Sequence, residues 1–530
     1  MHRALRTAVL ALFLPAGLIA QVPDSTPAPP AGPPAVDSAA KTPSPPGDTA
    51  GADSATAGID TMALRAYTYF LSGDELEGRG AGTRGARAAA LYIRAQLQRL
   101  GLEPAFDGHY TQAVPMARFT VDDDQTTVAV ADSDTTVFRS GTDFDVFGGK
   151  RQAYRDFSGS LLFLGLPQTA LREAGQAGSL QGRIVVVIGL PGTAAARLVP
   201  DWIRRGAEGA LLLLPDSEGW SQFIGERSNR RYFLDAPVTD PIWQPRLPMV
   251  VAGPSMFRRI MAGVPVDAPG LRGERPFTPT SIDRHVQVHI QGTFTALPGQ
   301  NVGAVLPGRS ISRRDEYVAV TAHLDHLGIE PGLSPDSIYN GFSDDAAGVA
   351  MALAIAQATH DDPPQRSLLF LFFTGEERGL LGSTYYAAMP AVPLRRTVGV
   401  VNLDAGAPPA TSVQWRIAGG TVSSLGPLAD SLVKAQGWAD TLADPSPNAD
   451  YWPFLMHGVP AVFPIPEKDW QGVTPEQKQT LLDRFEHYHQ PADEWHADFP
   501  FVGLLRYATL AEQIVRAAAD APRPPHITVP

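Results

Sequence analysis

The chain has 530 residues, of which 44% are hydrophobic and 18% are charged. This length exceeds what a single hydrophobic core usually organises, so we expect more than one domain. The formal net charge of −12 is not concentrated in one block, which argues against a nucleic-acid partner. The chain has no cysteine, which excludes disulfides and thiolate ligands, so a metal site would have to use His, Asp and Glu.

The first twenty residues have the pattern of a secretory signal peptide. Arg3 and Arg6 form a basic start, the apolar run AVLALFLPAGLI follows, and Ala20 is a small residue suited to cleavage. The run is short for a membrane span, and no later stretch is apolar and long enough to cross a bilayer. We therefore expect export to the periplasm or the exterior, with no stable membrane span after signal removal. The pattern leaves open whether the segment is cleaved or stays as an anchor.

Three further segments precede the region that carries the candidate chemistry. Residues 21–58 are rich in Pro, Ala, Ser and Asp and bury too little apolar surface to fold, which predicts a disordered linker. Residues 59–140 contain two helical patterns, DTMALRAYTYFL and GARAAALYIRAQLQRLG, separated by the Gly/Arg loop LEGRGAGTRG. Residues 141–275 alternate strand and helix patterns without clustered His, Asp or Glu, and this block is typical of an inserted domain.

Residues 276–522 read as an α/β domain, followed by a tail at 523–530. Apolar strand patterns such as EYVAVTAH, SLLFLFF, VGVVNL and VPAVFPI alternate with helical patterns such as DAAGVAMALAIAQATH. This alternation predicts a mostly parallel mixed sheet flanked by helices, whose functional groups gather at the carboxyl ends of the strands.

Candidate ligands follow these strands at five separate places. They are His323, Asp325 and His326, then Asp344 and Asp345, then Glu376 and Glu377, then Asp404, and finally His487, His489 and Asp493. Gathered carboxylates repel one another and are costly to desolvate unless a cation lies among them. Imidazole and carboxylate without sulfur suit zinc at a catalytic site, or cobalt or manganese under another supply. The inventory is large enough for two metals about 3.5–4 Å apart and a separate base.

Each residue alone also has an ordinary structural interpretation. His323 could be a structural histidine, Asp344 a helix N-cap and Asp404 the cap of a turn. His489 could lie in a surface loop, and the two adjacent glutamates could be solvated. The joint occurrence of all six in strand-end positions favours a metal site.

The motifs AHLDHLG, NGFSDDAAGVA, FTGEERGLLGS, VNLD and YHQPADEW, in this order, resemble the metal-site motifs of peptidase family M28, the co-catalytic zinc exopeptidases. The resemblance spans about residues 295–515 and implies a zinc-exopeptidase, phosphorylase/hydrolase-like fold. The block at 141–275 is similar to a smaller, β-rich protease-associated domain, which some members of the family carry as an insertion. The lead-in from LEGRG resembles the amino-terminal part of the same peptidase domain.

The resemblance implies two zinc ions and a role for each residue. His323 and Asp404 would bind one zinc, Glu377 and His489 the other, and Asp344 would bridge both. Glu376 would be the general base. Asp325 would hydrogen-bond His323 and fix its tautomer.

One motif departs from the family pattern. Where the family often has Ser-Asp-His, this chain has NADYWPF, so Asp450 keeps the acid and Tyr451 replaces the histidine. These two residues are candidates for a substrate pocket, as are Trp452, Phe454 and Trp495, for which core packing is the alternative. No side chain can be assigned from the sequence as an oxyanion donor.

The resemblance implies an exopeptidase acting on a peptide or protein, most simply an aminopeptidase, and leaves the oligomeric state open. Alternatives are a carboxypeptidase of the same family, a glutaminyl-cyclase-like acyltransferase with one zinc, and a non-catalytic receptor-like binding module. An amino terminus would be recognised by an acid and a carboxyl terminus by an arginine. The arginines available for this are Arg227, Arg230, Arg231 and Arg378.

Overall fold

The computed structural model describes residues 58–528, apart from 149, 173–177, 191–194, 226–227, 239–245, 331 and 334. The predicted signal peptide and nearly all of the predicted linker lie outside these residues, and so does Arg227. In the described part of the chain, no helix is long and apolar enough to span a bilayer.

The described residues form thirteen α-helices. They are α1 (Thr61–Leu71), α2 (Arg84–Arg99), α3 (Pro167–Arg172), α4 (Ala195–Arg204), α5 (Ser217–Gly225), α6 (Pro254–Met261), α7 (Ala268–Leu271), α8 (Ala347–His360), α9 (Leu381–Ala388), α10 (Leu425–Ala435), α11 (Tyr451–Met456), α12 (Pro475–Phe485) and α13 (Val502–Asp520).

The same residues form twenty strands. They are β1 (Glu103–Pro104), β2 (Thr111–Val121), β3 (Thr127–Ala131), β4 (Thr135–Arg139), β5 (Phe144–Phe147), β6 (Phe157–Phe163), β7 (Arg183–Ile188), β8 (Gly209–Leu213), β9 (Arg230–Leu234), β10 (Met249–Ala252), β11 (Thr280–His289), β12 (Gly292–Leu306), β13 (Tyr317–His323), β14 (Gly328–Ile329), β15 (Ile338–Tyr339), β16 (Ser367–Phe373), β17 (Thr397–Asn402), β18 (Gln414–Ala418), β19 (Ala439–Ala443) and β20 (Ala461–Pro466).

The larger sheet has the order β19-β18-β20-β17-β13-β16-β12-β2-β9, with β1 paired to β12. Its centre is parallel, since β13 pairs in parallel with β16 and β17, and β17 pairs in parallel with β20. The flanking strands β12, β2 and β9 run antiparallel to their neighbours. This mixed, mostly parallel centre flanked by helices confirms the predicted α/β fold class.

The central strands are apolar on both faces because helices cover both sides of a parallel sheet. Every residue of β16, with the sequence SLLFLFF, is buried. Helix α8 packs against α1, α13 and β13, and residues 347–356 of it are all buried. The apolar run of β16 predicted its burial, and the pattern of residues 345–360 predicted a helix.

The smaller sheet has eight strands in the order β4-β3-β11-β6-β7-β8-β10-β5. Strands β6, β7, β8 and β10 are parallel neighbours. The sheet includes β3 and β11, so it begins at Thr127 and ends at His289, whereas the sequence pattern placed the block at 141–275. The antiparallel strands β3 and β11 at its border alternate buried with more exposed residues, so they lack the long apolar runs on which that estimate depended.

One strand of the block joins the larger sheet. Strand β9 pairs with β2, and Phe233 of β9 packs with Phe119, Tyr154 and Phe294. The amino-terminal part of the chain, the block and the α/β domain are therefore connected through one continuous edge of the larger sheet.

Candidate metal centre

Five segments meet at the carboxyl edge of the larger sheet. They are the ends of β13, β16 and β17, the start of α8 and the loop before α13. Neighbouring parallel strands end at the same edge of a sheet, so residues far apart in the chain come together there.

Two glycines allow this convergence. Gly375 has a φ of +71° in the turn after β16, and a Cβ there would lie 2.7 Å from the sulfur of Met116. At Gly348, in the first turn of α8, a Cβ would come within 2.0 Å of the Leu403 carbonyl oxygen and 2.2 Å of Asp345 Oδ1. A side chain at either position would push the segments apart.

Asp344 lies at the centre, and one of its oxygens faces a first group of ligands. Its Oδ1 is 2.9 Å from His323 Nε2, and that nitrogen is 3.2 Å from Asp404 Oδ1. His323 is 1% exposed and Asp344 7% exposed. These three residues form a cluster able to hold a metal ion.

The other oxygen of Asp344 faces a second group. Asp344 Oδ2 is 3.0 Å from His489 Nε2, which is 3.2 Å from Glu377 Oε2. His326 also approaches this group, with Nδ1 2.6 Å from Glu377 Oε1 and 3.8 Å from Asp344 Oδ2. A second cluster able to hold a metal consists of His326, Asp344 and Glu377, so two imidazoles face the same carboxylates.

The donor atoms fit zinc in both groups. Ligands about 2.0 Å from a tetrahedral zinc ion lie about 3.3 Å from one another, close to the separations of 2.9–3.2 Å found here. In addition, His489 Nε2 is buried and makes no hydrogen bond in the described part of the chain. An imidazole nitrogen left in this way among carboxylates is what a metal ligand requires.

The charges of the cluster depend on one another. Burial opposes the charge of Asp344, but His323 and His489 hold its pKa well below its usual range. Burial also raises the pKa of Glu377, but the hydrogen bonds and charges of His326 and His489 outweigh it and lower this pKa to about 2. For Asp404, burial dominates and raises the pKa to about 6.

His323 has the tautomer that a metal ligand needs, but the group that sets it differs from the prediction. Its Nδ1 lies 3.0 Å from the backbone carbonyl oxygen of Asp325 and donates to it, so Nε2, which lies 2.9 Å from Asp344 Oδ1, is the nitrogen available to a metal. The predicted bond from the Asp325 carboxylate to His323 is therefore wrong. That carboxylate instead accepts the backbone N–H of Glu376 at 3.2 Å.

Glu376 and Glu377 point to different surroundings although they are adjacent. Glu377 joins the second group of ligands, whereas Glu376 belongs to neither cluster. Burial, together with the charges of Asp404, Asp450 and Glu377, raises the pKa of Glu376 well above its usual value, although His323 opposes the shift. A carboxyl group of raised pKa beside a metal cluster is suited to accept and release a proton.

The acidic residues beside the ligands hold the backbone in place. Asp345 accepts the N–H groups of His323 and Gly348 at 3.1 and 3.0 Å, and the Asp344–Asp345 peptide bond is cis. Asp493 accepts the N–H groups of Ser343 and Asp344. Asp493 is thus a support for the bridging residue, in the loop that also supplies His489.

Arg79 supports the same backbone from the amino-terminal part of the chain. It is 1% exposed, and its guanidinium donates to five carbonyl oxygens. These belong to Leu71, Leu324, Asn340, Gly341 and Asp344. The sequence showed Arg79 only as part of a Gly/Arg loop and did not indicate this role.

The proposed pocket residues have different environments. Asp450 is 1% exposed, burial raises its pKa to about 7, and its charge acts on Glu376. Tyr451 is fully buried, packs against Phe463 and accepts the N–H of Ser446 with its hydroxyl. Tyr451 therefore lies in the core and not on a surface that a substrate could reach.

Two of the four arginines considered for carboxylate recognition, Arg378 and Arg231, are engaged elsewhere. Arg378 donates to the Leu327 carbonyl oxygen, and its guanidinium lies 4.8 Å from the ring centroid of Tyr232 on β9. Arg231 forms an ion pair with Asp145.

The role of Tyr488 was not predicted from the sequence. Its ring stacks on His489 with centroids 3.8 Å apart, and burial together with the charge of Asp344 raises its pKa. It is 47% exposed, so part of the side chain remains in contact with solvent. Its position directly before His489 is the sequence signal that could have identified it.

Comparison with known proteins gives an independent view of this region. Residues 301–501 match the sequence model of the family described as "Peptidase family M28". A probable leucine aminopeptidase 2 of Aspergillus oryzae is 27% identical over 157 residues, 28% of this chain and 30% of that relative. Aminopeptidase YwaD of Bacillus subtilis is 30% identical over 112 residues, 21% of this chain and 22% of that relative. The similarity thus spans less than a third of the length of these relatives.

Among solved structures, an aminopeptidase from Aneurinibacillus sp. strain AM-1 has a similar fold. The TM-score is 0.52 at 19% identity, over 89% of this chain and 96% of that one. At this identity the likeness concerns the fold, and it extends over both sheets.

Proposed function

From the premise that this chain belongs to peptidase family M28 through residues 301–501, we propose that it is an exported exopeptidase that uses two zinc ions, most simply an aminopeptidase. The observation that carries the proposal is the position of Asp344 between two groups of ligands, one oxygen toward each. His323 and Asp404 would hold the first ion, and Glu377 and His489 the second.

The chemistry divides between the metal and the protein. Two zinc ions bound here would lower the pKa of a water molecule toward neutrality and polarise the peptide carbonyl. Glu376, whose pKa burial raises, accepts the proton of the attacking water and passes it to the departing amine. Asp325 holds the Glu376 backbone through its N–H, and the ring of Tyr488 stacks on His489 and restricts the orientation of that imidazole.

The charges of the site favour a free amino terminus over a free carboxyl terminus. Glu376, Asp404 and Asp450 place acidic side chains beside the ligands, whereas Arg378 is bound to Leu327 and Tyr232. Similarity to proteins described as aminopeptidases supports the same choice. A carboxypeptidase would need another cation to bind the terminal carboxylate.

The geometry gives less support to an acyltransferase or to a binding module. A one-zinc acyltransferase has no use for a second group of ligands on Asp344. A non-catalytic binding module has no need for a separate glutamate with raised pKa. Export, and a protease-associated identity for the block around 141–275, are parts of this proposal that depend on the sequence pattern alone.

The proposal is tested with purified protein, zinc analysis and three kinds of substrate. We expect two zinc ions per chain, hydrolysis of aminoacyl p-nitroanilides, no release of a carboxyl-terminal residue from amino-blocked peptides, and no pyroglutamate from glutaminyl peptides. A strong chelator should abolish the hydrolysis and added zinc should restore it. Full activity in chelator would contradict the metal mechanism, and release from amino-blocked peptides would contradict the aminopeptidase assignment.

A further inference from the structure

His326 is a buried histidine of the metal centre to which the two-zinc arrangement gives no task. It lies three residues after His323 and is 0% exposed. Its Nδ1 faces Glu377 Oε1 at 2.6 Å, whereas its Nε2 is buried and has no hydrogen-bond partner in the described part of the chain. Burying an imidazole with one nitrogen unpaired costs free energy of folding, unless the other nitrogen makes a stabilising contact.

The distances distinguish a hydrogen bond from metal ligation. His489 Nε2 lies at 3.0 and 3.2 Å from the two carboxylates of its group, close to the spacing of ligands around one zinc ion. His326 Nδ1 lies at 2.6 Å from one carboxylate and 3.8 Å from the other. The first pattern suits a ligand, and the second suits a donor bonded to Glu377 alone.

The two oxygens of Glu377 are used differently as a result. Oε1 accepts from His326, and Oε2 lies beside His489. A carboxylate with one oxygen bonded to a fixed donor presents the other oxygen to a metal in a defined direction.

The ring of His326 is itself held in place. Its backbone N–H donates to the Arg79 carbonyl oxygen at 3.2 Å, and a β-bridge joins it to Gly80. Gly341 lies against the ring, since a Cβ there would come within 2.7 Å of His326 Cγ and Cδ2. The donor therefore has little freedom to move with the carboxylate.

We propose that His326 is a positioning residue of the second metal, because its Nδ1–H holds Glu377 Oε1 and leaves Oε2 as the single oxygen for the ion. The inference rests on the proposed two-zinc centre. It goes further by separating the two imidazoles of the second group into one ligand, His489, and one positioning residue.

Zinc binding tests this directly, without reference to activity. Metal-free protein is titrated with zinc against a chromophoric chelator, which resolves a tight and a weak step. His326→Leu should weaken one of the two steps by about 10–100-fold and leave the other nearly unchanged. His326→Asn places an amide N–H near the position of Nδ1, so it should recover most of the lost affinity.

A control variant and the fold of the metal-free protein complete the experiment. His360→Leu removes a histidine that, among the described residues, is bonded to Asp361 alone at the exposed end of α8, and the variant should bind zinc as the unaltered protein does. Circular dichroism of each metal-free variant verifies that it is folded.

Three results would overturn the inference in different ways. Equal affinity in His326→Leu and the unaltered protein would show that the histidine has no positioning role. If His326→Asn is as weak as His326→Leu, the ring itself is a ligand and not a donor. If the unaltered protein binds fewer than two zinc ions, the proposed two-zinc centre fails first, which separates that failure from the other two.

Discussion

The two sheets of this chain differ at the carboxyl edges of their parallel strands. In the larger sheet the strands are followed by histidines and carboxylates that converge on Asp344. In the smaller sheet, β6, β7, β8 and β10 are followed by apolar residues or glycines, for example Leu164 after β6, Gly189 after β7 and Gly253 after β10. In the described part of the chain, clusters able to hold a metal occur only at the larger sheet.

The edge of the smaller sheet is closed by packing. A Cβ at Gly253 would lie 2.5 Å from the ring of Trp220, and one at Gly165 would lie 2.8 Å from Leu271. The parallel strands of both sheets end side by side, so the topology alone does not create a site. The site needs charged residues at the strand ends, and it needs neighbouring groups such as Asp345, Asp493 and Arg79 that hold the backbone of the ligand segments in place.

The largest expected effect comes from removing the bridging oxygen. Asp344→Asn should lower activity by at least about 10⁴-fold, since both proposed zinc ions lose a charged ligand. Aminoacyl p-nitroanilide hydrolysis and zinc analysis measure this.

The smaller sheet offers a matched control for that change. Asp216 follows β8 and caps the start of α5 through the N–H of Gly219, so it also is an acid between a strand and a helix. Asp216→Asn should leave zinc content and activity unaltered. Equal losses in the two variants would mean that general destabilisation explains both, which would break the comparison between the sheets.

A somewhat smaller effect should separate the adjacent glutamates. Glu376→Gln should lower kcat by about 10²–10⁴-fold, the usual range for loss of a general base, while both zinc ions stay bound. Glu377→Gln should release one zinc ion. If Glu376→Gln loses zinc instead, the assignment of base and ligand is reversed.

The sequence was a good guide to elements with strong patterns and to side chains that extend from them. The run SLLFLFF predicted β16, and the residues after the strands predicted that His323, Asp344, Glu377, Asp404 and His489 would lie together. The first prediction depends on the apolar run of the strand, and the second on the fact that neighbouring parallel strands end at the same edge.

The sequence was a poor guide to contacts made by the backbone. His323 is held by the carbonyl oxygen of Asp325 and not by its carboxylate, a difference that residue types do not record. Tyr451 was considered for a pocket, but its hydroxyl is bound to Ser446 in the core. Arg79 lies in a Gly/Arg loop whose pattern gave it no role, yet its guanidinium is buried and donates to five carbonyl oxygens.

The next prediction concerns Arg79, whose guanidinium binds backbone carbonyl oxygens in the segments that carry the ligands. Arg79→Lys keeps the charge but cannot reach carbonyl oxygens in several loops, and each buried carbonyl left unsatisfied costs about 1–3 kcal/mol. We expect a lower Tm and a loss of zinc affinity and activity of about 10–100-fold.

The control for Arg79 lies in the same segment. Arg84 is exposed and pairs with Glu77 at 2.8 Å, so Arg84→Lys should change none of these quantities. Near-normal zinc affinity in Arg79→Lys would show that the loop needs only a positive charge and not the guanidinium.

The smallest effect is a pH dependence of stability in the metal-free protein. Burial raises the pKa of Asp450 and of Asp493 to about 7 in the folded state, from about 3.9 in an unfolded chain. The folded protein thus binds these protons more tightly, so the stabilisation present at low pH is lost as the pH rises through 7. The raised pKa values of His323 and His489 act in the same direction.

We therefore expect the Tm of metal-free protein to fall between pH 5 and pH 8, as measured by calorimetry in chelator. Zinc should reverse the slope, because a bound cation favours the deprotonated carboxylates. Asp450→Asn removes one titrating group, so the fall in Tm of the metal-free protein between pH 5 and pH 8 should be smaller by about 2–4 °C. Asp216→Asn at the smaller sheet should leave that fall unchanged. A Tm that rises with pH in the absence of metal would show that the buried carboxylates at the larger sheet are already charged and balanced by the protein itself.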